Sequence, residues 1–239
     1  MIFFKKIIYK IIYKERATPK SYSKFLKKRC LGFGENVYIT NPHKTFIDKD
    51  ALHFISIGNN VQILTGVSIL AHDESYSVCG ISHNFYPRPQ LFTHIGNNVF
   101  IGMNSTILMG SRIGDNVIVG ANSVVCGKLE PNSVYAGCPA KKVSSLDSFF
   151  KKNQERFEKS AYFYIKRFSE INKRLPNLNE LHVYTILFKG GSIASAFNKP
   201  KYLVDNINKT ASNKKYDSVS EFLLFNDPKY FQIYRQEKE

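Results

Sequence analysis

A six-residue repeat runs through residues 95–130 and limits what this chain can fold into. The blocks are Ile95-Gly-Asn-Asn-Val-Phe, Ile101-Gly-Met-Asn-Ser-Thr, Ile107-Leu-Met-Gly-Ser-Arg, Ile113-Gly-Asp-Asn-Val-Ile, Val119-Gly-Ala-Asn-Ser-Val and Val125-Cys-Gly-Lys-Leu-Glu. A branched aliphatic residue opens every block, and glycine follows it in four of the six. An α-helix would spread this period around its surface, and an isolated strand would repeat every two residues. The repeat therefore indicates a parallel β-helix, in which each block forms one short strand and its turn.

The same phase extends toward the N-terminus. If three blocks form one triangular coil, the leading aliphatic side chains stack inward, while glycine and asparagine adopt the tight corners. Earlier positions in phase are Phe33, Ile39, Thr45, Ala51, Ile57, Ile63 and Ile69. Thr45 and Ala51 are weak members of this set, so we expect an irregular coil between Pro42 and Phe54.

The phase breaks between Ile69 and Ile95, which are 26 residues apart and thus not separated by a multiple of six. A segment covering residues 70–94 must therefore leave the coil. It holds three of the six histidines (His72, His83 and His94), together with Asp73 and Arg88. A polar loop on a regular scaffold is where chemistry is expected.

The two ends of the chain differ from the repeat. Residues 1–30 alternate apolar side chains with lysines, as an amphipathic helix does (Ile2, Phe3, Ile7, Ile8, Ile11 and Ile12 against Lys5, Lys6, Lys10 and Lys14). Such a helix either packs its apolar face on the open end of the coil or lies on a membrane surface. The repeat domain is expected to cover residues 31–143, and a helical extension to cover residues 144–239.

Three helical stretches are expected in this extension, with a loop before the third. They are Leu146 to Leu175, Pro176 to Phe188 (closed by Gly190-Gly191) and Ser218 to Phe225, and the loop is Lys199 to Lys215. Asp217 or Ser218 would cap the third helix, with Glu221 at capping-box distance from Ser218.

Composition narrows the class of partner. A formal charge of +15 suits nucleic acid, an anionic membrane surface or anionic small molecules, but no nucleic-acid motif is present. Four cysteines without a CxxC pair suit a reducing compartment, which predicts a cytoplasmic protein, with peripheral contact at the inner face of the membrane as an alternative. No apolar run approaches the roughly 20 residues that span a bilayer.

The blocks, the inserted loop and the terminating segment Pro131-Asn-Ser-Val-Tyr-Ala-Gly-Cys-Pro-Ala-Lys-Lys-Val together resemble the hexapeptide-repeat acyltransferases. More narrowly, they resemble bacterial sugar O-acetyltransferases of surface-polysaccharide synthesis, over about residues 33–143. The resemblance implies a left-handed parallel β-helix, a homotrimer with active sites between subunits, and acetyl-CoA as donor. It implies a saccharide or lipid-linked saccharide as acceptor and no metal.

The resemblance also implies that a loop histidine acts as general base toward the acceptor hydroxyl. Ile69-Leu-Ala-His72-Asp73-Glu-Ser is similar to the opening of that loop, so His72 is the first candidate and His83 the alternative. An imidazole titrates near neutral pH and suits this task. A carboxylate on its other nitrogen would fix the tautomer. Asp73 is adjacent in sequence, and Asp48 is the alternative.

Coenzyme A would lie along the coils by the same resemblance. The candidate contacts are small residues for the pantetheine arm and lysines for the phosphates: Gly102, Gly120, Ala121, Ala136 and Gly137, with Lys128, Lys141 and Lys142. Each glycine also has a simpler explanation as a turn residue, and each lysine as a solvated surface charge.

Three other functions remain open on the sequence. The acceptor could be the amine of a nucleotide-linked amino sugar or an antibiotic. The coil could carry a metal hydratase of the γ-type carbonic anhydrase kind, with zinc on loop histidines, although these histidines lack a close pair. It could also be a scaffold without catalysis.

Overall fold

The computed structural model describes residue 9, residues 11–189 and residues 215–227. The chain divides into two compact units, one ending at Phe149 and the other beginning at Phe150. We describe each unit separately. Over the described part of the chain, no helix combines the length and apolarity needed to cross a membrane.

The first unit is built from three sheets of very short strands. Sheet I contains β1 (Gly32–Phe33), β4 (Ile55–Ile57), β7 (Thr93–Ile95), β10 (Arg112–Ile113) and β13 (Lys128–Leu129). Sheet II contains β2 (Tyr38–Ile39), β5 (Gln62–Ile63), β8 (Phe100–Ile101), β11 (Val117–Val119), β14 (Ser133–Ala136) and β15 (Lys141–Ser145). Sheet III contains β3 (Phe46–Ile47), β6 (Ser68–Ile69), β9 (Thr106–Ile107) and β12 (Val124–Val125).

Successive strands from β1 to β14 visit sheets I, II and III in turn, and each pairs in parallel with the strand one turn later. In the regular turns the partners are eighteen residues apart, as in Arg112 with His94 and Val124 with Thr106. Three six-residue blocks therefore make one turn, and the predicted parallel β-helix is confirmed. Strand β15 pairs antiparallel with β14.

The leading residues of the blocks form the core. Ile95, Ile101, Ile107, Ile113, Val119 and Val125 are all fully buried. The corners between sheets I and II are formed by asparagines with φ between 55° and 58°, namely Asn36, Asn60, Asn98, Asn116 and Asn132. Their side-chain amides donate from one turn to the next at 2.9–3.0 Å and form a continuous ladder.

The first turn is irregular, as the sequence predicts, and carries 3₁₀ turns at Pro42–Lys44 and Leu52–Phe54. Thr45 and Ala51 are buried but do not occupy strand positions, so their assignment to the repeat is corrected. The inward residue of sheet III is Ile47, which pairs with Ile69. The turn holds more than eighteen residues, so its third strand starts out of the six-residue phase.

Helix α1 (Pro19–Lys27) precedes the first turn of the coil. Its buried side chains Tyr22 and Leu26 belong to the core of the coil, which is the packing expected of an end cap. The amphipathic helix predicted over residues 1–30 is corrected in its described part, because Thr18 is extended and begins a new helix with a capping box to Ser21. Apolar positions Ile2, Phe3, Ile7 and Ile8 lie outside the described residues.

The inserted loop, residues 70–92, leaves the coil after β6 and returns at β7. The predicted boundary of 94 is corrected, because Thr93 and His94 pair with sheet I. The loop contains helix α2 (Ser77–His83). A single antiparallel bridge between His72 and Gln90 closes its base.

Helix α3 (Leu146–Asn172) belongs to the second unit from Phe150 onward, where it contributes Ala161 and Ile165 to a separate aromatic core. The predicted helix over Pro176 to Phe188 is corrected to a 3₁₀ helix, His182–Leu187. Helix α4 (Val219–Asn226) is confirmed, and the Ser218 side chain accepts from the Glu221 N–H at 3.1 Å. The predicted Gly190-Gly191 break and the loop from Lys199 lie outside the described residues, except for Lys215.

Candidate active site

A cavity of about 500 Å³ opens where the inserted loop meets the coil wall. Its lining combines side chains of the coil (Phe46, Leu108, Met109 and Cys126) with four of the loop (Leu70, His72, Asp73 and Glu74). Leu70, Leu108 and Cys126 each follow the last residue of a sheet III strand. The repeat thus places these three residues at the same point of successive turns, where they line the cavity.

His72 and Asp48 form the central pair of this site. Asp48 Oδ2 contacts His72 Nδ1 and also accepts from the Ala71 N–H at 3.1 Å. The carboxylate is 1% exposed and the imidazole 11% exposed. Among the described residues, Asp48 Oδ1 has no hydrogen-bond partner. This pairing orients the ring through Nδ1 and turns Nε2 away from Asp48.

The register of the coil explains how Asp48 reaches His72. Asp48 follows Ile47 in the irregular first turn, and its N–H donates to the Ile69 carbonyl at 3.0 Å. It therefore stacks one turn away from Leu70, two residues before His72. In the sequence, the signal for this role is an aspartate directly after the inward residue Ile47.

Asp73 does not orient the imidazole, and its predicted role passes to Asp48. Its carboxylate accepts from the Ser75 N–H at 2.8 Å, and hydrogen bonding from Ser75 lowers the pKa of Asp73 below its ordinary value. His83 is exposed at the end of α2, with Nδ1 2.6 Å from the Ser82 hydroxyl, and does not line the cavity.

The third loop histidine lies elsewhere. His94 is on the outer side of sheet I, with Nδ1 2.6 Å from the Ser56 hydroxyl. In the described ranges, no three histidine, cysteine, aspartate or glutamate side chains come together in a group that could hold a metal ion. The hydratase alternative therefore lacks a ligand set in that part of the chain.

Half of the candidate coenzyme A residues gather at another edge. Gly102, Gly120 and Ala136 stack where sheet II ends, and a Cβ on Gly120 would lie 3.0 Å from the Ala136 Cβ. A Cβ on Gly102 would lie 2.5 Å from the Ala121 nitrogen. Close stacking of the coils is thus sufficient to explain why these residues are small.

The remaining candidates divide between two faces. Gly137 has φ +101°, and Lys141 and Lys142 lie on β15 opposite the end of β14. Lys128 lies on sheet I, 3.0 Å from Glu130, and is thus separated from the others. None of the eight predicted residues lines the His72 cavity, and their contact with a cofactor stays a prediction.

The fold and the site together define a class: a parallel β-helix of six-residue repeats with a histidine–carboxylate pair at its one large inserted loop. The family model described as bacterial transferase hexapeptide (six repeats) matches residues 92–127. Protein CapG of Staphylococcus aureus is 41% identical over 130 residues, which cover 54% of this chain and 71% of CapG. The chain belongs to the hexapeptide-repeat transferases, and the predicted family and transferase class are confirmed.

Solved structures with a similar coil include a hexapeptide-repeat acetyltransferase from Vibrio cholerae. It is 18% identical over 59% of this chain and 89% of that chain, with a TM-score of 0.43. Another is a maltose O-acetyltransferase from Clostridium difficile 630. It is 22% identical over 59% of this chain and 84% of that chain, with a TM-score of 0.44.

Proposed function

We propose that this chain transfers an acetyl group from acetyl-CoA to a hydroxyl of a saccharide, with His72 as general base. The observation that carries the proposal is the His72–Asp48 pair, which lies in a cavity between the coil and its inserted loop. Family membership supplies the transferase class, and the resemblance in sequence supplies the donor and the acceptor class. A surface polysaccharide or its lipid-linked precursor is the acceptor that this resemblance favours.

The chemistry fits the residues. An alcohol attacks a thioester poorly unless a base removes its proton as the carbon–oxygen bond forms. His72 Nε2 would take that proton, and the buried Asp48 carboxylate would stabilise the imidazolium through Nδ1–H. When the carbon–sulfur bond breaks, the leaving thiolate takes the proton from Nε2. The products are the acetyl ester and coenzyme A, and His72 returns to its starting form.

The assembly and location of the enzyme belong to the same proposal. The resemblance favours left-handed winding and a homotrimer in which the cavity faces a neighbouring subunit. Exposed apolar side chains on the inserted loop, such as Val78, Ile81 and Phe85, support a loop that is covered in the assembled protein. We place the enzyme in the cytoplasm, where the basic N-terminal segment would contact anionic lipid.

The proposal is tested first by donor binding and then by catalysis. Calorimetry should detect binding of acetyl-CoA by the full chain. With a panel of saccharides as acceptors, His72→Ala should reduce coenzyme A release by at least about a hundredfold, the usual contribution of a general base. His94→Ala is the matched control, because it removes a histidine on the outer side of sheet I. Full activity of His72→Ala, or absence of donor binding, would contradict the proposal.

The bond formed decides between hydroxyl and amine acceptors. An acetyl ester is cleaved by mild alkali, whereas an acetamide survives it. Treatment of the labelled product with dilute base should therefore release acetate. A product resistant to base would move the assignment to an amino sugar or another amine.

A further inference from the structure

A second carboxylate lies against the proposed catalytic nitrogen of His72. Glu74 Oε1 is 3.2 Å from His72 Nε2 and 2.6 Å from the Arg88 guanidinium. The other oxygen, Oε2, accepts a hydrogen bond from the Tyr86 hydroxyl. Glu74 thus occupies the position that an attacking hydroxyl must take.

The loop is built to hold Glu74 there. Glu74 lies on the limb of the loop that leaves the coil, while Tyr86 and Arg88 lie on the limb that returns to it. The two limbs are joined at their base, where the Leu91 N–H donates to the Ala71 carbonyl at 3.0 Å. The hydrogen bond from Tyr86, and then the charge of Arg88, lower the pKa of Glu74, so the carboxylate stays ionised.

While it lasts, this contact opposes the action of His72 as a base. A neutral imidazole has one N–H and one lone pair, and the imidazolium has two N–H groups. With carboxylates at both nitrogens, the ring satisfies Asp48 and Glu74 together only when each nitrogen carries a proton. A nitrogen that carries a proton and donates it to Glu74 cannot accept another from water.

We propose that Glu74 is a specificity-determining residue that keeps water away from His72 until a saccharide displaces it. This inference rests on the proposed function. The Glu74 side chain is 57% exposed, so its contact with the imidazole is weak enough for a bound acceptor to replace. A saccharide brings binding energy from its other hydroxyl groups, whereas a single water molecule brings almost none.

The reaction that Glu74 suppresses is hydrolysis of the donor. Without the carboxylate, His72 Nε2 would take a proton from water as the water oxygen bonds to the thioester carbon. The carbon–sulfur bond would then break, and the thiolate would take the proton back from Nε2. The products are acetic acid, which ionises, and coenzyme A, and no acceptor is consumed.

The test measures thiol release from acetyl-CoA by the full chain without any acceptor. Glu74→Ala is expected to raise this rate about two- to fivefold, which corresponds to the strength of an exposed ion pair. Tyr86→Phe, which releases Glu74 but keeps its carboxylate, is expected to give a smaller rise. The double variant His72→Ala with Glu74→Ala should lose the gain, because the base is then absent.

Glu35→Ala is the matched control, since it removes an exposed carboxylate paired with Lys27 at another corner of the coil. A structural defect would lower turnover, so a gain separates the proposed role from simple damage. An unchanged or lower rate in both Glu74→Ala and Tyr86→Phe, with donor binding intact, would overturn the inference and leave the proposed function standing. Absence of donor binding in the unaltered chain would overturn the proposed function itself.

Discussion

The coil wall and the inserted loop are built by different rules, although both belong to the first unit. In the wall, residues 38–69 and 93–129, the inward side chains of the strands stack on those one turn away and are buried. In the loop after Leu70, residues 71–92, side chains do not stack on equivalent residues of a neighbouring turn. Apolar side chains such as Ile81, which is 90% exposed, face outward. The wall is stabilised by packing between its adjacent turns, and the loop is held by a few polar contacts.

The site needs both regions. The wall contributes the buried Asp48, and the loop contributes His72. A rigid wall fixes the carboxylate, so the imidazole is oriented even though it lies on a segment outside the repeat. The proposed chemistry is thus located where the regular structure ends, and each prediction below tests one side of that boundary.

The largest effect on turnover is expected at Asp48, the carboxylate that the wall contributes to the site. Asp48→Asn should lower turnover by between about a hundredfold and 10⁴-fold, because an amide cannot stabilise the imidazolium through Nδ1–H. Steady-state kinetics measures the loss, and thermal unfolding checks that the variant is folded. Asp73→Asn is the comparison, and its loss should be far smaller because its carboxylate accepts from Ser75. Equal losses would mean that the loop carboxylate also acts.

The next effect concerns stability. Ile101 is fully buried between Ile63 and Val119, so Ile101→Ala should lower the free energy of unfolding by about 2–5 kcal/mol. For the separated subunit, Ile81→Ala in the loop should change it by less than about 0.5 kcal/mol, because the side chain is 90% exposed. Urea denaturation followed by circular dichroism measures both. A loss at Ile81 that appears only in the assembled protein would support the proposed covering of the loop, and a large loss in the separated subunit would contradict the comparison.

The same boundary separates what the sequence could predict from what it could not. The repeat from Ile95 onward predicted the strands and their inward residues, because eighteen residues per turn leave one register that buries them all. The first turn broke this rule, so Ile47 was missed in favour of Thr45. The position of Asp48 depends on that irregularity, which explains why it ranked behind Asp73.

The loop was predictable as an insertion but not in its interior. Its histidine content pointed to chemistry in the loop, and the resemblance of its opening motif to a known family pointed to His72. The Glu74–Arg88–Tyr86 network, however, depends on contacts between two limbs. Such contacts leave no period in the sequence. The candidate coenzyme A residues present the opposite difficulty. Gly102 and Gly120 are already required by close stacking of the coils, so their pattern in the sequence does not by itself indicate a cofactor site.

A smaller effect is expected at the corner ladder. Asn98 donates to Asn116 at 3.0 Å, accepts from Asn60 at 2.9 Å and has φ 55°. Asn98→Gly should lose only the ladder, whereas Asn98→Ala also places a Cβ in left-handed backbone. We expect Ala to be about 1 kcal/mol less stable than Gly at this position. Thermal unfolding of the pair measures the difference, and equal stabilities would argue against the strained corner.

The smallest effect is expected at the loop histidine outside the cavity. His83→Ala should change turnover by less than about twofold, because the imidazole is exposed at the end of α2 and bonds only Ser82 among the described residues. The measurement is the same steady-state assay used for His72→Ala, run in parallel on both variants. A hundredfold loss at His83 with retained activity at His72 would move the general base to the end of helix α2, away from the Asp48 contact. The wall would then serve only as a support, and the Asp48 contact would have no catalytic role.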